Sequence, residues 1–161
     1  MRKNLTILLG LFLALSLSLT GCKKNDDNEK PADQVRTELL SNGAWTLQTA
    51  TRNSSEVVTS SYAGMTVTFN SNKTYVATYT SSTPTELYTT WPVSGNWDYV
   101  SNNGTPDINT LIRNAQTAGG VEISLSNVTE STLTAAFTIA DPPSGAKVQG
   151  ISGNFVFEFT R

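Results

Sequence analysis

Gly153-Asn154-Phe155-Val156-Phe157-Glu158-Phe159-Thr160-Arg161 decides the fold. Its three phenylalanines sit two residues apart, with Val156, Glu158 and Thr160 between or after them. Successive side chains of an extended chain point to opposite faces, so this is a strand with one aromatic face and one face fit for water. The same period of two recurs toward the N-terminus. Leu133, Ala135, Phe137 and Ile139 alternate with threonines and Ala136, and Val121, Ile123 and Leu125 with Glu122, Ser124 and Ser126. Ile108 to Arg113 is a weaker strand, and Trp91 to Val100 places Val93, Gly95, Trp97 and Tyr99 on one face. Tyr75, Ala77 and Tyr79 lie opposite Val76, Thr78 and Thr80. Met65, Val67 and Phe69 alternate with Thr66, Thr68 and Asn70, and Trp45, Leu47 and Thr49 with Thr46, Gln48 and Ala50. The pattern predicts about eight antiparallel strands, each wet on one side.

The connections are equally legible. Asn53 to Ser61, Ser81 to Thr90, Ser101 to Asp107 and Asp141 to Gly150 read as loops, and Pro142-Pro143 excludes a strand in the last. Residues 31–42 hold a short helix: Pro31 suits a first helical position, Val35 and Leu39 lie four apart, and Gly43 follows. Residues 43–161 are one domain by size. Sequential strands of this number close into an up-and-down barrel or stack as a two-sheet β-sandwich, and alternation alone does not choose.

The front of the chain is of another kind. Arg2 and Lys3 precede an uncharged run from Leu5 to Leu19, followed by Leu19-Thr20-Gly21-Cys22. The run is shorter than the roughly 20 residues a membrane-spanning helix needs, and it fits the apolar segment of an export signal. Leu-Thr-Gly-Cys resembles the bacterial lipobox, which implies cleavage between Gly21 and Cys22 and a lipid on Cys22. Residues 1–21 are then a removed signal and 22–30 a polar, lipid-anchored tether. Lys23-Lys24 followed by Asp26-Asp27 resembles outer-membrane sorting and the surface-export signal of Bacteroidetes lipoproteins, so the expected location is the outer membrane, on its periplasmic or cell-surface face. Cys22 is the only cysteine, so no disulfide forms within the chain.

Gly43-Ala44-Trp45 at the start of the first strand, and Arg161 after the last, look like the lipocalin pattern. Thr66-Val67-Thr68-Phe69-Asn70-Ser71-Asn72, Trp91-Pro92-Val93-Ser94-Gly95-Asn96-Trp97 and Gly153-Asn154-Phe155-Val156-Phe157 add an ordered set similar to the lipocalin-like lipoproteins common in Bacteroidetes. The resemblance implies a single antiparallel barrel that opens at one end, with Trp45 and Arg161 packed together at the closed end. It implies a small apolar or amphipathic ligand inside, with Phe69, Tyr79, Trp97, Phe137 and Phe157 as lining residues. Arg161 closes the sequence, where typical lipocalins continue into a helix.

Composition limits the chemistry. The chain carries 11 cations and 13 anions, and removing Arg2 and Lys3 leaves 9 cations, near −4 for the processed form. Beyond residue 42 the cations Arg52, Lys73, Arg113, Lys147 and Arg161 are scattered, which excludes a clustered nucleic-acid face. Histidine is absent, so no Ser-His-Asp or Cys-His relay and no ordinary zinc site can form. Asp98, Asp107, Glu122 and Asp141 show no paired spacing, and Gly119-Gly120 lacks the residues of a phosphate loop. No enzyme, cofactor or metal is expected. Trp91, beside Pro92 near a loop, reads as an exposed aromatic that stacks on a sugar or shields a strand end. Against a ligand-holding barrel stands a packed scaffold whose Ser/Thr-rich loops meet a surface glycan or protein.

Overall fold

The computed structural model describes residues 29–80, 83, 85–114, 120–140 and 152–161. The expected signal, Cys22, most of the expected tether and the loop expected at 141–150 lie outside them. Among the described residues one helix, α1 (Ala32–Leu40), precedes nine strands: β1 (Ala44–Arg52), β2 (Glu56–Val57), β3 (Thr66–Phe69), β4 (Thr74–Thr78), β5 (Ser94–Asn102), β6 (Thr105–Arg113), β7 (Val121–Ser126), β8 (Thr132–Ile139) and β9 (Gly153–Thr160). From β3 to β9 each strand pairs antiparallel with the next, and β1 pairs with both β3 and β9. The β1–β9 ladder, from Thr46↔Thr160 to Arg52↔Phe155, closes the sheet on itself. The protein is therefore an eight-stranded up-and-down barrel with β2 as a short extra strand on β1. The β-sandwich alternative falls away, because two stacked sheets would leave free margins where this ring has none.

The inward face is the apolar face. Phe155, Phe157 and Phe159 on β9, Leu133, Ala135 and Phe137 on β8, and Ile123 and Leu125 on β7 are all buried. The threonines and serines between them face water, the reverse of a membrane-spanning barrel, which is apolar outside. β1 departs from simple alternation. A bulge between Leu47 and Thr49 inserts one residue, so Ala50 turns inward where Thr49 was expected. Val93 precedes β5 and is 48 % exposed, off the inner face predicted for it. β5 and β6 extend through most of the predicted Ser101–Asp107 loop as a hairpin, and β2 forms within the predicted Asn53–Ser61 loop.

α1 starts after Pro31, which serves as its N-cap, and ends where the Ser41 N–H and hydroxyl donate to the Thr37 carbonyl. Its anchor is Leu40, fully buried, and Val35 is half exposed instead of facing the core. Gly43 then takes φ +118°, a conformation side chains resist, and starts β1 against the Arg161 side chain. Gly95 on β5 is held for space. A Cβ there would stand 2.2 Å from Asn114 Oδ1 and 2.9 Å from the Tyr75 ring.

Candidate functional site

The strand directions define the two ends. The closed end gathers the start of β1, the end of β9 and α1. There the Arg161 guanidinium carbon lies 3.9 Å from the centre of the Trp45 ring. Arg161 also donates to the Leu39 carbonyl at 3.0 Å and to the Glu130 carbonyl from Nε at 2.8 Å. The Trp45 indole N–H donates to Leu40 O at 2.9 Å. The charge thus covers a fully buried ring and ties helix, first strand and last strand together. Lys73 is a second such contact, its ammonium 4.1 Å from the ring centres of both Trp97 and Tyr99 and 3.2 Å from the Thr37 hydroxyl.

The open end is where β1, β4, β6 and β8 finish and β3, β5, β7 and β9 begin. A 3₁₀ turn at Thr59–Tyr62 and another at Thr85–Thr89 sit there, and the second leads to Thr90 and Trp91. Trp91 corrects the sequence expectation. It is 1 % exposed, and its indole drops from the connection into the barrel. Ring centres of Phe137, Phe159, Tyr75, Phe157 and Phe69 surround it at 5.5, 6.1, 6.2, 6.2 and 6.5 Å. Its indole N–H has no hydrogen-bond partner. The segment is fastened by its backbone: the Tyr79 hydroxyl donates to Trp91 O, and Arg113 Nη1 donates to Thr90 O at 2.8 Å. The Tyr62 hydroxyl donates to Thr90 Oγ1 at 3.0 Å, and Tyr79 stacks on Tyr88 at 4.5 Å.

Arg113 is the one charged side chain buried among the described residues, 2 % exposed on the inner face of β6. Its guanidinium carbon is 5.2 Å from the Trp91 ring centre and 5.7 Å from that of Phe137. Nε lacks a partner. Burial draws its pKa below the ordinary arginine value, and the nearby Tyr75 and Tyr79 hydroxyls oppose that shift. Burial likewise pushes Tyr62, Tyr75 and Tyr79 above the ordinary tyrosine range, most strongly Tyr79.

The five residues expected to line a ligand do not form one site. Phe69, Phe137 and Phe157 meet around Trp91. Trp97 belongs to the closed end, packed on Phe69 at 5.7 Å and under Lys73. Tyr79 is at the open end. All except Tyr79 are buried against one another, and they fill the space they were expected to line. At the open end a cavity of about 180 Å³ lies among Arg52, Val58, Tyr62, Leu87 and Phe155. It is smaller than the roughly 300 Å³ lower bound of ordinary ligand pockets. A larger depression of about 780 Å³ lies on the outer face of β7–β9, where Ser124 and Ala136 are small. No cluster of metal-ligating side chains occurs among the described residues. No helix among them is long and apolar enough to cross a membrane.

Trp91 and Arg113 are the residues that sequence reasoning placed elsewhere. Arg113 carried a signal, for it stands two positions from the inward Leu111 and so shares its face. Trp91 carried none, since it lies outside any strand. No family model matches the chain, and no curated protein matches it in sequence.

Proposed function

We propose that this chain is a non-catalytic, lipid-anchored lipoprotein whose lipocalin-like barrel takes a small apolar or amphipathic ligand at its open end. One observation carries the proposal. The upper interior is filled from a connection, by Trp91, and not from a strand. Strand side chains are held by ladders on both sides. Trp91 is held by the two carbonyl contacts of its segment, by the Tyr62 and Leu87 bonds to Thr90 and by ring packing, with its indole N–H unpaired. Movement of a connecting segment is the cheapest way to vacate part of a close-packed barrel. An eight-stranded barrel is wide enough for one small ligand once such a filler leaves. The absence of histidine and the single cysteine support the non-catalytic part. The lipobox resemblance at Leu19–Cys22 supports the anchor, and at least two acyl chains make such an anchor lasting.

Native mass spectrometry of the full chain, extracted from its membrane in mild detergent, tests both halves. The expected spectrum carries diacylglycerol on Cys22 and a small bound molecule, with higher occupancy in Trp91→Ala. An unmodified Cys22 refutes the anchor. An empty barrel in both wild type and Trp91→Ala refutes the ligand. The solid interior favours a second function, a packed scaffold whose loops meet a glycan or protein, and an empty barrel would leave that one standing.

A further inference from the structure

Arg113 differs from every other described arginine in what surrounds its charge. Arg52 forms a two-pronged pair with Glu56, at 2.7 and 3.0 Å. Arg161 is only partly buried and spans two carbonyls, and Arg36 reaches Asn109 at the surface. Arg113 is enclosed, yet none of the carboxylates whose side chains are described lies within ion-pair distance of it. Its partners are one carbonyl, Thr90 O, and the faces of Trp91 and Phe137. A buried guanidinium normally finds a counter-charge, because desolvation is otherwise only partly offset. Its fork matches two oxygens of one planar acid group.

We propose that Arg113 is the receptor for the ligand's anionic head, and that the ligand is a small monocarboxylic acid with an apolar body. This rests on the open end being where the ligand enters. The charge count selects a single negative charge, since Arg113 is the sole buried cation among the described residues and a dianion would leave one charge uncompensated in an aromatic enclosure. The surroundings select the apolar body. Trp91, Phe137 and Tyr75 flank the guanidinium side of the barrel, and the body takes the place from which the Trp91 indole withdraws. The acid head lies below Thr90, and the Thr90–Arg113 bond is exchanged for the carboxylate pair as the plug lifts.

Isothermal titration of the full chain in lipid nanodiscs, with empty nanodiscs subtracted, tests this with octanoate, 3-phenylpropanoate and octan-1-ol. The expected result is that at least one acid binds ten- to a hundredfold more tightly than octan-1-ol, the range of a hydrogen bond to a charged group. The acid that binds better distinguishes a straight-chain body from an aromatic one. Arg113→Met removes the preference and leaves octan-1-ol unchanged, and Arg113→Lys retains part of it. Met for an unpaired buried cation keeps the barrel folded, and the wild-type comparison of acid with alcohol stands without any variant. Equal binding of acid and alcohol, unaffected by Arg113→Met, overturns the receptor role while leaving the open end as a ligand site. Binding of neither overturns both.

Discussion

Replacing Trp91 by alanine removes the indole at the centre of the ring cluster and tests the described packing directly. The side chain is 1 % exposed and touches five aromatic rings, so nearly all of its apolar surface returns to water on unfolding. Truncating a buried Trp costs about 3–5 kcal/mol. Two features place this case toward the lower bound. The indole N–H has no partner, so no hydrogen bond is lost, and both carbonyl contacts of the segment survive because they involve backbone oxygens. Loss of the ring over the Arg113 charge adds about 1 kcal/mol. The expected destabilisation is about 3–4 kcal/mol, a shift of the urea midpoint of about 2 M at a slope of about 2 kcal/mol per molar. The vacated space has the shape of an indole and apolar walls, so free indole should bind it. At a hundred times its dissociation constant it should return about 2.7 kcal/mol. Urea unfolding followed by far-ultraviolet circular dichroism, with and without indole, measures both. A loss under about 1 kcal/mol, or no response to indole, would refute the placement of Trp91 inside the barrel.

Arg161→Ala should cost about 2–3 kcal/mol, because it removes the charge over Trp45 and the donors to Leu39 O and Glu130 O. Arg161→Lys should recover less than half of this, since one ammonium cannot span both carbonyls, and the urea midpoints of the two variants decide it. Stability should also fall in alkali. Burial raises the Tyr79 pKa in the folded barrel above the value near 10 of the unfolded chain. Its neutral form therefore stabilises the fold fully below pH 10, and that contribution is lost as pH climbs past 10 toward the higher folded value. Urea midpoints from pH 8 to 11 should decline for the wild type and less steeply in Tyr79→Phe, where the raised Tyr62 and Tyr75 still contribute, with tyrosinate absorbance reporting the same ionisations.

The strands were legible because each has one wet face, and a period of two survives in composition. Every phenylalanine from Phe137 to Phe159 faces inward as the alternation predicts. The β1 bulge was not legible, for an inserted residue leaves no mark in the sequence, and it exchanges Thr49 for Ala50. Sheet closure was not contained in the alternation either. It rests on whether β1 meets β9, a pairing between distant segments, and only the resemblance carried by Gly43, Trp45 and Arg161 pointed to it. For the candidate site, Phe69, Phe137 and Phe157 were readable as inward, but lining and filling differ only by what occupies the middle. Trp91 occupies it, and a residue from a connection goes wherever the finished barrel leaves room. Arg113 was in phase with Leu111, yet a cation defaults to solvent in any reading from residue type.

The pairing of the first strand with the last has a kinetic side. Residues 44–52 have no permanent neighbour on one flank until residues 153–160 are in place. Any shorter stretch of the chain is a curved ribbon with two bare margins, which invites pairing with other copies. A topology of this kind folds slowly, since its decisive contact joins distant parts of the polypeptide. The same architecture makes the eight residues of β9 a switch between a sticky, open ribbon and a sealed cylinder, and a nick or truncation there would undo the whole ring at once.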